Sequence, residues 1–221
     1  MTFIAFAFTP DKSSVVMAAD TGLLGSADAP QGFTPHSMTR IHKLHRVGDR
    51  ALMWGLAGSA ADIGPFRKWI DGAVFETWDD LTTQASDQIS TMHVEALARA
   101  HKAKQKKDDV QNINVLVAGY LDAPQAVLFT QDGTVNSFLE MDRLHGFAGP
   151  CMPVAETVLH TANELGLAQS LSDPPTMEKF VTGISTTVPI LATPVDVWKV
   201  TPDGCTPENE GAREQMDQED G

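Results

Sequence analysis

The chain has 221 residues, enough for one domain of ordinary size with a packed core. Hydrophobic residues make up 42% and charged residues 20%, values that exclude intrinsic disorder, a collagen-like repeat and a coiled coil. Sixteen Lys and Arg against 29 Asp and Glu leave a formal charge of −13, which argues against a nucleic-acid binder, because such proteins need a basic face.

Phe3 to Phe8 is apolar throughout, a turn signal occupies Pro10 to Ser14, and Val15 to Ala19 is apolar again, so the chain opens on a hairpin of two buried strands. Residues 21–39 hold Gly, Pro and small polar residues and read as a long irregular connection of the kind that is usually functional or ordered by a partner. A second hairpin joins Ile41 to Val47 and Ala51 to Ala57 across Gly48-Asp49. Ser59 to Phe75 predicts a short helix interrupted near Pro65. A long helix follows, in which Trp78, Leu81, Ala85, Ile89, Met92 and Ala96 recur at the helical period and His101 to Lys107 place cations at the C-terminus. Strands are predicted at Ile113 to Leu121, Gln125 to Thr130 and Val135 to Met141. Helices follow at Val154 to Leu165 and Met177 to Val188, and a last strand at Val195 to Val200. Blocks of strands between blocks of helices predict stacked α and β layers, an α+β fold, in a single domain over residues 1–205. Residues 206–221 carry Glu208, Glu210, Glu214, Asp217, Glu219 and Asp220 against Arg213 alone, the pattern of a disordered acidic tail.

No apolar run reaches the roughly 18 residues of a membrane span, and no basic region precedes the first apolar stretch as in a signal peptide. Cys151 and Cys205 are too few for a disulfide framework, which makes the cytoplasm the default location. Metal readings fail: His42 and His45 stand three apart on a predicted strand, and His36, His93, His101, His145 and His160 show no ligand spacing, so all read as surface or satisfied histidines. GxSxG, P-loop and GxGxxG motifs are absent from the sequence. Cys151 lacks a base nearby in sequence and reads as a small buried residue.

What remains is an ordered set of strings: Thr2 ahead of an apolar strand, VVMAAD at 15 to 20, HKLHRV at 42 to 47 and GLAGSAAD at 55 to 62. Together these resemble the proteasome β-subunit family, including the bacterial HslV peptidases and the ancestral-β-type homologues, with a compatible element order to about residue 201. The resemblance implies a four-layer αββα sandwich of the N-terminal nucleophile hydrolases. It also implies a threonine that attacks a peptide carbonyl once its own α-amine is free to take the hydroxyl proton. Position 2 suits this, because a Thr there allows ordinary removal of Met1. Asp20 and Lys43 match the family's acidic and basic residues beneath the threonine, Lys43 lowering the proton affinity of the amine and hydroxyl and Asp20 holding Lys43 charged. Gly58 matches the glycine whose N–H serves the oxyanion hole.

Two family positions differ. The Gly-Ser-Gly turn before the third helix reads Ala148-Gly149-Pro150-Cys151, and the acidic residue followed by serine before the last strand is replaced by Ser185-Thr186-Thr187-Val188-Pro189, with Ser185 and Thr187 as the candidate supporting hydroxyls. The connection between Asp20 and Lys43 also exceeds the family norm. The resemblance therefore implies a threonine peptidase in a self-compartmentalising homo-oligomeric ring. Its substrate would be unfolded polypeptide or peptide; an ATPase partner is allowed and no cofactor is required. A non-catalytic ring subunit and an N-terminal nucleophile amidase acting on a small molecule are the competing expectations.

Overall fold

The computed structural model describes residues 2–23, 39–40, 42–58, 60–104, 113–149, 152–164, 168–187 and 195–220. It has an α+β fold built on two five-stranded antiparallel sheets. The first hairpin forms as expected from β1 (Ile4–Phe8) and β2 (Val15–Asp20), in a register that sets Ile4 opposite Ala19 and Phe8 opposite Val15. The ends of the long connection form a two-residue ladder of β3 (Gly22–Leu23) and β4 (Thr39–Arg40); residues 24–38, with Leu24, Phe33 and Met38, lie outside the described residues. The second hairpin comprises β5 (Leu44–Arg46) and β6 (Leu52–Ala57).

A 3-10 turn at Ala60–Asp62 leads into α1 (Ile63–Gly72), which Pro65 does not interrupt as expected. Pro65 stands in the first turn, where a backbone N–H has no intrahelical partner to lose. In α2 (Trp78–Lys102) the Thr77 side chain caps the Asp80 N–H at 3.2 Å, Asp79 and Asp80 face the positive end of the dipole, and Arg99, His101 and Lys102 occupy the negative end. Its buried stripe is the one the sequence predicts, Trp78, Leu81, Ala85, Ile89, Met92 and Ala96, each large apolar member contributing about 1.5–3 kcal/mol.

The meander continues through β7 (Asn114–Tyr120), β8 (Pro124–Thr130) and β9 (Val135–Ser137), giving one sheet in the order β5-β6-β7-β8-β9. The predicted strand to Met141 stops short because Leu139–Met141 turns as a 3-10 helix. β10 (His145–Ala148), which the sequence does not announce, pairs with the free side of β1. After α3 (Met152–Glu164) and α4 (Pro174–Thr187), β11 (Val195–Thr201) pairs with β2, and β12 (Gly204–Pro207) closes the second sheet as β10-β1-β2-β11-β12.

Three apolar clusters hold these elements. One joins Leu52, Trp54, Val115 and Val127 to α1 and α2, and a second joins Phe3, Ala5, Val16 and Val197 to Ala155 and Leu159 of α3 and Met177 and Val181 of α4. The third joins Ile4, Phe6, Met17, Ala19 and Trp198 of one sheet to Leu44, Met53, Leu116 and Leu128 of the other. Alternation along each central strand therefore buries both of its faces, which is why these strands read as unbroken apolar runs.

The expectation of a disordered tail over residues 206–221 is corrected. Residues 204–207 form β12 and α5 (Glu210–Asp220) follows, with Ala212 fully buried and Met216 packed against the inter-sheet cluster. Asn209 anchors the helix start: its Oδ1 accepts the Val197 and Ala212 N–H groups at 3.2 and 3.1 Å, and its Nδ2 donates to the Val195 carbonyl at 2.6 Å. Glu210, Arg213 and Glu214 are exposed while Gly211, Ala212 and Gln215 are buried, so average composition conceals a narrow inward face.

Candidate active site

The candidate site lies at one end of the two sheets, where β1, β2 and the segment entering β5 meet. Asp20 ends β2 opposite Phe3; it is fully buried, and its Oδ1 accepts the Phe3 N–H at 2.7 Å where a ladder carbonyl would otherwise sit. Its other oxygen, Oδ2, accepts from Lys43 Nζ at 2.6 Å. The Lys43 side chain is 1% exposed, and the register of β5 and β6 carried back one residue sets Lys43 opposite Leu56. Lys43 thus crosses from one sheet to a carboxylate on the other. Burial pushes its ammonium below the ordinary lysine range, and the charges of Asp20 and Asp196 oppose that shift.

Thr2 is 6% exposed. Phe3 faces the helices, stacking on Phe147 at 5.8 Å between ring centroids and tilting against Phe180 at 6.4 Å, so alternation sets Thr2 on the opposite face, with Ile4. That is the face turned toward the β5–β9 sheet, from which Lys43 arrives. The approach there is close: a β-carbon at Gly55 would fall 2.7 Å from Ile4 Cδ1 and 3.0 Å from the Lys43 carbonyl oxygen. On the other flank, Gly149 adopts φ +125°, and a β-carbon there would lie 2.1 Å from the Thr2 carbonyl oxygen. Only glycine permits both that backbone angle and that contact.

Gly58 follows β6 at the same end of its sheet as Lys43, and is half-buried. Just beyond it, buried Asp62 pairs with Arg99 of α2, which ties the start of α1 to the end of the long helix. Burial pushes the Asp62 carboxyl up, with Arg99 acting in the opposite direction. Ser185 and Thr187 belong to the last turn of α4; their side chains, like Cys151 as a whole, lie outside the described residues.

Two residues of the cluster escape the sequence reading. Asp196 on β11, opposite Ala19, is fully buried, and His42 Nδ1 stands 2.9 Å from its Oδ2. His42 is a satisfied histidine, as expected, but its partner is a buried carboxylate of the site. The signal was available in VDVWKV: a strand buried on both faces leaves no solvated place for a carboxylate, so its charge requires a partner inside. Among the described residues no three His, Cys, Asp or Glu side chains gather as a metal would require, and no helix is long and apolar enough to cross a membrane.

What the arrangement offers chemically is a buried lysine held by the Asp20 carboxylate, under the charge of a second carboxylate, Asp196; Asp20 also fixes the peptide joining Thr2 to Phe3. No family model matches the chain, and no curated protein matches it.

Proposed function

We propose that the chain is an N-terminal nucleophile hydrolase, a threonine peptidase subunit of a proteasome-like homo-oligomeric ring, with Thr2 as nucleophile once Met1 is removed. The observation that carries this reading is the path Lys43 Nζ to Asp20 Oδ2, and Asp20 Oδ1 to the Phe3 N–H, two short hydrogen bonds that end one residue from Thr2. A buried Lys–Asp pair contributes little net stability, so its placement against the backbone beside Thr2 is better explained by chemistry than by packing. The three apolar clusters, between the sheets and on the outer face of each, support the finer fold reading of an αββα sandwich.

In the proposed reaction the free amine of Thr2 takes the proton of Oγ as Oγ attacks the amide carbon. The Lys43 ammonium favours the alkoxide, the oxyanion is received by the Gly58 N–H, and the amine returns its proton to the departing nitrogen. Water, activated by the same amine, then releases the acyl group and regenerates Thr2. A cytoplasmic location, an unfolded polypeptide substrate and an ATPase partner belong to the same proposal.

A second reading, a ring subunit that has lost catalysis, is favoured by the absence of serine from Ala148-Gly149-Pro150-Cys151. Intact-mass measurement together with hydrolysis of short reporter peptides separates the two. The enzyme reading expects a chain beginning at Thr2 whose hydrolysis is abolished in Thr2→Ala while fold and assembly persist. A retained Met1, or activity that survives Thr2→Ala, overturns it.

A further inference from the structure

Sheet order brings three residues into one row, Ile4 on β1, Ala19 on β2 and Asp196 on β11. Val195 and Val197 belong to the helix-side cluster and Trp198 and Val200 to the inter-sheet cluster, so Asp196 faces the β5–β9 sheet, the side from which Lys43 enters. A carboxylate with no exposure there is costly unless positive charge and donors meet it. His42, 18% exposed, meets it at 2.9 Å, and because an ionised carboxylate only accepts, Nδ1 must carry the hydrogen. Consecutive residues of one segment, His42 and Lys43, thus each engage a carboxylate from adjacent strands: His42 takes Asp196 on β11, and Lys43 takes Asp20 on β2.

We propose that His42 and Asp196 form a second positioning pair of this site, which acts with Asp20 to keep Lys43 an ammonium beside Thr2. The assignment of Lys43 to catalysis rests on the function proposed above; the electrostatic coupling does not. The charges of Asp20 on β2 and Asp196 on β11 both oppose the effect of burial on Lys43, and His42 reaches Lys43 through Asp196. Removing the Asp196 charge takes away one of the charges that oppose burial, so Lys43 releases its proton at lower pH. Removing His42 takes from Asp196 a partner that orients its carboxylate, which weakens the same support to a smaller degree.

The test is an NMR titration of the Lys43 Nζ resonance in the full chain, assigned by its loss in Lys43→Met. The Lys43 midpoint is expected to fall by about one pH unit in Asp196→Asn, and by less in His42→Ala. It is expected to return in His42→Asn, whose amide nitrogen can stand near the place of Nδ1. Midpoints unchanged in Asp196→Asn and His42→Ala overturn the proposal, and failure of His42→Asn to restore the midpoint overturns the part assigned to His42. If Asp196→Asn does not fold, the two His42 variants decide, since that side chain is partly exposed. The titration needs no turnover, so it stands apart from the Thr2→Ala result. In a chain that hydrolyses reporter peptides, the alkaline limb of the pH profile is expected to move with the Lys43 midpoint.

Discussion

Replacing Lys43 by Met keeps most of the side-chain volume and removes only the ammonium, leaving Asp20 as a carboxylate without its cation. Side-chain exposures of 1% for Lys43 and 0% for Asp20 leave no water to take over. Breaking such a pair from one side costs about 3–5 kcal/mol, against about 0–1 for an exposed pair. At about 2–4 °C per kcal/mol for a chain of this size, the melting temperature should fall by roughly 6–20 °C. The double variant Asp20→Asn with Lys43→Met isolates the charge. Asn keeps an oxygen for the Phe3 N–H, so the joint between β1 and β2 survives and most of the loss should be recovered, with a coupling of about 2 kcal/mol or more. Urea unfolding of the four species at neutral pH measures the cycle, and hydrolysis should be absent from all but the parent. A single Lys43→Met variant within about 1 kcal/mol of the parent would show that the pair carries no more than a surface ion pair, and would refute the account of the site as a desolvated charge.

Gly149→Ala should cost at least about 2 kcal/mol in chemical unfolding and abolish hydrolysis, because it adds an unfavourable backbone angle to a clash with the Thr2 carbonyl. Gly133→Ala, at φ +84° with nothing within 4 Å of the new carbon, should show the strain alone and leave hydrolysis intact; equal effects on hydrolysis would refute the contact. Asn209→Ala removes the cap of α5 and two bonds to β11 and should cost about 2–4 kcal/mol, and truncation after Cys205 should lower the melting temperature by many degrees; an unchanged melting temperature for the truncated chain would return residues 206–221 to a tail. Tyr120 is the single tyrosine, so ultraviolet titration reads it alone: burial, then the charge of Asp11, pushes its phenol up to about 12. The folded chain therefore keeps a proton that the unfolded chain loses near pH 10, and stability should decline with pH above that point more steeply than in Tyr120→Phe; a midpoint near 10 in the folded chain would contradict this.

Where a strand buries both faces, its apolar run is visible without any knowledge of its neighbours, and β1, β2 and β6 were legible for that reason, β5 by its alternation and the stripe of α2 by its helical spacing. β10 was not. Its four residues include Gly146, where a β-carbon would fall 2.5 Å from Phe138 and 2.6 Å from Phe6, so close packing has removed the side chain that would have signalled a strand. α5 was hidden by charge on its outer face. For the candidate site the sequence offered Thr2, Asp20, Lys43 and Gly58 as an ordered pattern, of which the structure joins Lys43 to Asp20 and Asp20 to the Phe3 N–H. His42 and Asp196 were not, since 154 positions separate them and pairing at that distance follows from sheet order, not from spacing.

The sheet order also sets a timetable for synthesis. β1 lies between β2, its immediate successor, and β10, and β2 in turn waits for β11, so β1 cannot be fully flanked until His145–Ala148 has been made, nor β2 until Val195–Thr201 has emerged from the ribosome. For most of translation the β1–β2 hairpin lacks its outer neighbours β10 and β11 and cannot yet bury Phe3 or Thr2. Removal of Met1, on the function proposed here, belongs to that interval, when the chain start is an extended peptide open to an aminopeptidase. Once β10 and β11 dock, Thr2 is 6% exposed and the opportunity has narrowed. A chain refolded in vitro with Met1 still attached would then remain blocked however well it folds, and its maturation would be decided by the order of events at the ribosome and not by the stability of the finished site.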